Sequence, residues 1–261
     1  MSDMEMKKIA GRSSLWADKP SPYCPGCGHG VVHRVVCELI EEYHLADNCV
    51  FMAPVGCSIL AYTFLGLDVC QAAHGRTPAA ATGIKRARPD TFVLAYQGDG
   101  DLASIGTAEI IHAANRGENI TTIFVNNAIY GMTGGQMAPT TLLGQKATTC
   151  PSGRDALSGM GYPLRVCELL QSLGGVTYLA RTSVHTPGNV IKTKQAIKKA
   201  FDVQLQRQGF SLVEVLTSCP VNWGMQPVEA LDFVDKQMIH QYPLGEYKVD
   251  GVCMTPAAKE G

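Results

Sequence analysis

An open α/β fold, with a mostly parallel sheet and helices on both faces, is predicted by two apolar segments and the helix between them. Residues 91–97 (TFVLAYQ) and 120–126 (ITTIFVN) are short runs rich in β-branched and aromatic side chains. Runs of that length and composition read as strands covered on both faces. Residues 102–115 between them carry the apolar spacing of a helix. Strand, helix and strand together fill the roughly 30 residues of a crossover unit. Such a unit makes the strands parallel and the connection right-handed.

The other elements follow in order. Residues 31–43 form an apolar helix, followed by a strand at 49–53 and an apolar edge segment at 67–73. A helix at 77–88 opens on Thr77-Pro78, the position where proline costs a helix nothing. From 130 to 162 Gly, Thr, Pro and Met dominate without periodicity. Loops of that length are usually functional. A strand at 176–180, a helix at 188–208 and a strand at 210–216 complete the sheet. The lysines of 192–199 are the wet face of that helix, opposite Ile191, Ala196, Ile197 and Ala200. Residues 1–22 are read as an N-terminal arm and 23–225 as one binding domain. Residues 226–261 are read as an extension, helical and then irregular, that packs on a partner subunit.

Composition excludes several classes. With 22 Lys and Arg against 23 Asp and Glu, the chain has no electrostatic footprint for nucleic acid. No apolar run approaches the roughly 18 residues of a membrane span. Residues 1–14 carry no secretory apolar core, so a cytoplasmic location is expected. Ten cysteines then argue for metal or redox chemistry rather than a disulfide framework. Cys37, Cys49, Cys70 and Cys167 sit in apolar surroundings and read as core, while Cys150 and Cys253 lie in loops.

Two constellations carry chemistry. In Gln97-Gly98-Asp99-Gly100-Asp101 and Asn126-Asn127, Asp99 and Asn127 stand just past the carboxyl ends of parallel strands. That edge is where open α/β sheets bind ligands. Their hard oxygens suit Mg²⁺, and the following helix offers N–H groups and positive dipole to a diphosphate. Asp101 is expected to cap that helix. In the second constellation, Cys24-Pro-Gly-Cys27 turns two thiols to one side. Zinc, an iron–sulfur cluster and a redox dithiol all use that spacing. Cys57 and Cys219 each follow an apolar strand and are the best candidates to complete a four-sulfur site, with His29 an alternative ligand expected to pack or hydrogen-bond instead.

CPGCGHG, VGCS, AHGR, GDGD, NN-x-x-YGMTGGQ and SCP run in this order from Cys24 to Pro220. Together they resemble the thiamine-diphosphate-binding β subunit of the 2-oxoacid:ferredoxin oxidoreductases, most closely the 2-oxoisovalerate or 2-oxoglutarate type. The resemblance implies the diphosphate domain of the thiamine-diphosphate-binding fold. It implies Mg²⁺ held by Asp99, Asn127 and the carbonyl of Ile129, and a 4Fe–4S cluster on Cys24, Cys27, Cys57 and Cys219. Cofactor contacts are expected from Ser58, Ile59, His74, Gly98, Gly100 and Asp101, and from Gly131, Met132 and Thr133. His74 and Arg76 are the catalytic candidates. An Arg–carboxylate pair and a helix-capping His are the competing structural readings of these two residues.

The implied activity is oxidative decarboxylation of a 2-oxoacid to acyl-CoA and CO₂, with electrons leaving through the cluster to external ferredoxin. The activating Glu is expected on an α subunit, because Glu109 on the crossover helix reads as a surface or interface residue. Gamma and ferredoxin-like delta subunits are expected to carry electrons onward, since no C-x₂-C-x₂-C-x₃-C-P run occurs here. Two departures weigh against pyruvate: Met132 stands where pyruvate-specific relatives carry Asn, and Ser58-Ile59 lacks the Lys of some relatives. A non-redox thiamine-dependent decarboxylase or carboligase would keep Asp99 and Asn127 without needing four thiols. A scaffold subunit with a structural metal is the reading from a different class.

Overall fold

The computed structural model describes residues 11–256. Its sheet has eight strands: β1 (Cys49–Met52), β2 (Asp68–Cys70), β3 (Phe92–Gly98), β4 (Thr121–Asn126), β5 (Val176–Ser183), β6 (Phe210–Leu216), β7 (Gly245–Val249) and β8 (Val252–Cys253). Their spatial order is β2-β1-β3-β4-β6-β5-β7-β8. The first six run parallel, and only β7 and β8 pair antiparallel. The fold is therefore the mostly parallel α/β sheet that the apolar runs imply.

Helices cover both faces. The main ones are α1 (His29–Glu42), α2 (Thr77–Ala87), α3 (Thr107–Asn115), α4 (Val166–Gln171) and α5 (Pro187–Leu205). Successive side chains of a strand point to opposite faces, so β3 feeds two cores at once. Phe92, Leu94 and Tyr96 enter the layer under α1 and α5. Val93 and Ala95 enter the layer under α2, α3 and α4.

Three elements differ from the expectation. The crossover helix is broken: Asp101–Ile105 is one π-helical turn, Gly106 interrupts, and α3 starts at Thr107. A Cβ on Gly106 would stand 2.5 Å from the carbonyl oxygen of Gly75, so the break lets the loop after β2 press against the helix. The C-terminal stretch expected to be irregular instead supplies β7, which pairs with β5, and β8, which forms the edge beyond it. Residues 1–10 of the predicted arm lie outside the described residues. The part that follows is tied down: Leu15 is buried, Ala17 N–H donates to the Phe64 carbonyl and Trp16 packs on Phe64.

The aperiodic segment 130–162 is held by a residue that sequence reasoning passed over. Arg154 is buried, and its guanidinium donates to six carbonyls, those of Ala138, Pro139, Thr141, Met160, Gly161 and Tyr162. No periodic pattern signals such a staple, because its partners are backbone oxygens. Hydrogen bonds to a charged group contribute about 1.5–3 kcal/mol each, and orphaned buried carbonyls add a penalty. Arg154→Ala is expected to lower stability by more than about 2 kcal/mol. Arg154→Lys should recover little of it, because an ammonium lacks the planar fork. Urea unfolding and limited proteolysis within 143–162 measure both; wild-type protease resistance in Arg154→Ala contradicts the assignment.

Candidate functional site

Because β1, β3, β4 and β6 are parallel, the residues that follow each strand collect on one edge. Asp99 follows β3 and Asn127 follows β4. Asp99 is buried; its Oδ1 accepts the Gly100 N–H at 2.9 Å, and its Oδ2 accepts the Ile129 N–H at 3.1 Å and the Thr140 hydroxyl at 2.6 Å. Burial nevertheless raises its pKa from 3.8 to about 6, against the hydrogen bonds that lower it. Asn127 is also buried, and its Oδ1 has no hydrogen-bond partner. An ionisable carboxylate and an orphaned carbonyl oxygen in one cleft are the donor set a hard cation requires.

The cleft, of about 100 Å³, is lined by Cys57, Ser58, His74, residues 98–101, Asn127 and residues 129–133, with His29 and residues 55–56. Gly100 is required for its shape: a Cβ there would stand 2.1 Å from the Tyr130 ring. The Tyr130 hydroxyl donates to the Gly100 carbonyl at 3.2 Å and closes residues 98–101 against the 130–136 loop. Met132 and Thr133 stand at the exposed rim. Ile59 and Arg76 do not line the cleft.

Asp101 does not cap its helix; no side chain caps the turn it opens. Its carboxylate instead accepts the Gly75 N–H at 2.7 Å, the Gln97 amide at 2.6 Å and the Nδ1–H of His74 at 2.5 Å. Three donors from neighbouring elements hold it away from its own backbone. With the proton of the neutral ring on Nδ1, His74 keeps Nε2 as an acceptor. Arg76 pairs with Glu109 of α3. That contact makes Glu109 a partner for Arg76 in place of a free surface residue.

The four thiols converge on the same edge. Gly28 N–H donates to the Ser218 carbonyl at 3.3 Å and the Ser218 hydroxyl to the Gly26 carbonyl at 2.6 Å, which ties the Cys24–Cys27 turn to Cys219. A Cβ on Gly131 would stand 3.5 Å from both Cys57 Sγ and Cys219 Sγ, so these sulfurs lie within twice that distance of one another. Burial, then the Cys219, Cys57 and Cys24 thiols, push Cys27 up to about 12, although a backbone hydrogen bond opposes them. Burial, Cys219, Cys24 and Asp99 push Cys57 up to about 11. The Asn222 amide donates to Cys219 Sγ at 3.3 Å. Among the described residues, no three His, Cys, Asp or Glu side chains close on one point as they would around a single ion. His29 bonds the Tyr96 hydroxyl through Nδ1 at 2.8 Å and stacks on Tyr23.

Residues 55–215 match the family described as thiamine pyrophosphate enzyme, C-terminal TPP binding domain. The 2-oxoglutarate synthase subunit KorB of Methanocaldococcus jannaschii is 37% identical over 227 residues, covering 85% of this chain and 79% of that one. The chain belongs to the thiamine-binding subunits of the 2-oxoacid:ferredoxin oxidoreductase family. It is also similar to ketoisovalerate oxidoreductase subunit VorA of Methanothermobacter marburgensis, 46% identical over 243 residues, 93% of this chain and 51% of that one. It thus spans about half the length of that relative. A solved structure of 2-oxoglutarate:ferredoxin oxidoreductase from Magnetococcus marinus, with 2-oxoglutarate, coenzyme A and succinyl-CoA bound, has a TM-score of 0.77 at 25% identity. That likeness covers 96% of this chain and 87% of that one.

Sequence reasoning passed over Thr140 and Trp223, whose indole donates to the Asn127 carbonyl at 3.1 Å. Gln97 and Tyr130 stand within the quoted motifs, which carry no signal of the partners they take here.

The raised pKa of Asp99 yields a pH prediction for metal-free protein. A carboxyl whose folded pKa exceeds its unfolded value contributes stability below the unfolded pKa and loses it as pH rises through the folded pKa. From 3.8 to about 6, that loss is of order 3 kcal/mol. In chelator, Asp99→Asn should therefore gain stability relative to wild type between pH 4 and 7. Urea unfolding of both proteins across this range checks it; a constant difference contradicts the burial argument.

Proposed function

We propose that this chain is the thiamine diphosphate, Mg²⁺ and 4Fe–4S half of a 2-oxoacid:ferredoxin oxidoreductase that converts a 2-oxoacid and CoA to acyl-CoA and CO₂. The observation that carries the reading is the orphaned Asn127 Oδ1 beside the buried Asp99, at the edge where four thiols also meet. The residues fit the groups. Asp99, Asn127 Oδ1 and the Ile129 carbonyl would hold Mg²⁺, and residues 98–101 and 131–133, which line the cleft, would face the diphosphate. Cys24, Cys27, Cys57 and Cys219 would hold the cluster, a body larger than a single ion and suited to thiols that stand apart. Bound thiamine diphosphate supplies the carbon centre that adds to the 2-oxo group and stabilises the carbanion left when CO₂ departs.

The chain's own residues do the rest. Asp101 keeps the His74 proton on Nδ1, so Nε2 can accept a proton or a hydrogen bond from a bound ligand. Tyr130 and Gly100 close the floor of the cleft. Arg76, engaged with Glu109, orients the turn before α2. His29 and His74 are the only basic side chains lining the cleft among the described residues. That environment favours a branched apolar acyl group over one with a second carboxylate, so 2-oxoisovalerate is the proposed substrate and 2-oxoglutarate the alternative. The 46% identity to the ketoisovalerate subunit, against 37% to the 2-oxoglutarate subunit, supports the same order.

An α subunit would supply the activating Glu, and gamma and delta subunits with external ferredoxin the electron path. Residues 226–261 are proposed to face a partner. Ten free cysteines support a cytoplasmic setting, and no helix of the described residues is long and apolar enough to cross a membrane.

The assembly purified without oxygen should be brown, with a visible band bleached on adding 2-oxoacid and CoA. Cys219→Ala should lower that band and the iron content by one cluster per copy of this chain while thiamine diphosphate still binds. A colourless, zinc-loaded protein contradicts the redox reading. Faster viologen reduction with 2-oxoglutarate than with 2-oxoisovalerate reverses the substrate order.

A further inference from the structure

A charge network lies behind the Asn126–Asn127 turn, and the proposed chemistry makes no use of it. Arg181 of β5 and Glu214 of β6 are adjacent in register and both 0% exposed. Glu214 Oε2 accepts the Arg181 Nε–H at 2.8 Å and the Cys167 thiol at 3.1 Å. Its Oε1 points the other way and accepts the Asn126 amide N–H at 2.8 Å. The second arm of Arg181 pairs with Glu168, Nη2 to Oε2 at 2.6 Å.

Asn126 passes this anchorage forward. With its amide nitrogen on Glu214, its Oδ1 accepts the Ala128 N–H at 3.1 Å. Ala128 sits at φ 57°, a left-handed conformation that a residue with a Cβ adopts only when held. The Ala128 carbonyl accepts the Thr141 hydroxyl at 2.7 Å and the Gln145 amide at 3.3 Å. On either side of Ala128 stand Asn127, with its orphaned Oδ1, and Ile129, whose N–H binds Asp99.

A buried Arg–Glu pair is a weak source of stability, since well-packed apolar side chains often do as well. What apolar side chains cannot supply is an acceptor for Asn126. We propose that Glu214 is a positioning residue for the cation site: its carboxylate, braced by Arg181, fixes Asn126 and so sets the turn that presents Asn127 Oδ1 and the Ile129 carbonyl. The proposal rests on the reading of that site as one for Mg²⁺ and diphosphate.

The test uses the full chain in its purified assembly. It combines titration of Mg²⁺ in the presence of thiamine diphosphate with amide hydrogen exchange at Ala128 in metal-free protein. Supporting interactions of this kind change metal affinity by about 10–100-fold. Glu214→Gln should weaken Mg²⁺ binding within that range and speed exchange at Ala128. Glu168→Gln, which cuts the other arm of Arg181 and leaves Asn126 anchored, should lower Tm with wild-type affinity and exchange. Asn126→Ala, which keeps the ion pair, should reproduce the affinity loss and stands in if Glu214→Gln does not fold. Wild-type affinity in Asn126→Ala or in folded Glu214→Gln overturns the proposal, as does an affinity loss in Glu168→Gln matching that of Glu214→Gln. Unchanged Mg²⁺ binding in Asp99→Ala would defeat the site reading instead, and exchange at Ala128 would still judge the link from Glu214.

Discussion

Parallel strands put all their carboxyl ends on one edge, and the chemistry of this chain depends on that constraint. Six strands share a direction. Cys57, Asp99, Asn127 and Cys219, scattered along the sequence, each come shortly after one of them. None of these residues needs a long excursion to reach the others. The connections before β1 and after β6 then close on each other through the Gly28–Ser218 and Ser218–Gly26 hydrogen bonds. That closure brings the Cys24–Cys27 turn to Cys219, the thiol that follows β6.

This edge violates the ordinary rules for buried groups more than once. Asp99 is buried, Asn127 Oδ1 has no partner, and Gln97 Oε1 is likewise unpaired. An unpaired buried polar group costs about 1–3 kcal/mol, which a folded domain tolerates only where something else is gained. Unpaired buried atoms occur elsewhere too, Thr77 Oγ1, Asn119 Oδ1 and Thr122 Oγ1 among them. What sets Asn127 apart is that its free oxygen belongs to a residue lining the same cleft as a buried carboxylate, Asp99.

Much of this was legible in the sequence because it depends on local pattern. The strands of 91–97 and 120–126 appear within one residue of their predicted bounds, as β3 and β4. The convergence of Asp99 with Asn127 follows from strand polarity alone. Whatever depends on a partner distant in sequence was not legible. The break at Gly106 comes from the backbone of Gly75, and β7 joins the sheet because β5 exposes an edge. Asp101 looked like a cap because its neighbours in sequence suggest one, whereas Gly75, His74 and Gln97 decide its role. Arg76 could be placed only once α3 brought Glu109 beside it, and Arg154 bonds backbone oxygens that any sequence would provide.

The carboxylate and the thiols form one electrostatic unit. Burial first, and Asp99 among the smaller causes, raise the pKa of Cys57 and Cys219; burial and then these thiols raise that of Cys27. Each negative charge placed at this edge makes the next more costly, because little water reaches it to screen them. The direction of coupling follows from charge alone: positive charge beside Asp99 eases ionisation of the thiols, and positive charge among the thiols eases ionisation of Asp99. The geometry that places them together on the sheet edge thus makes the ionisation of the Asp99 carboxylate and of the neighbouring thiols interdependent.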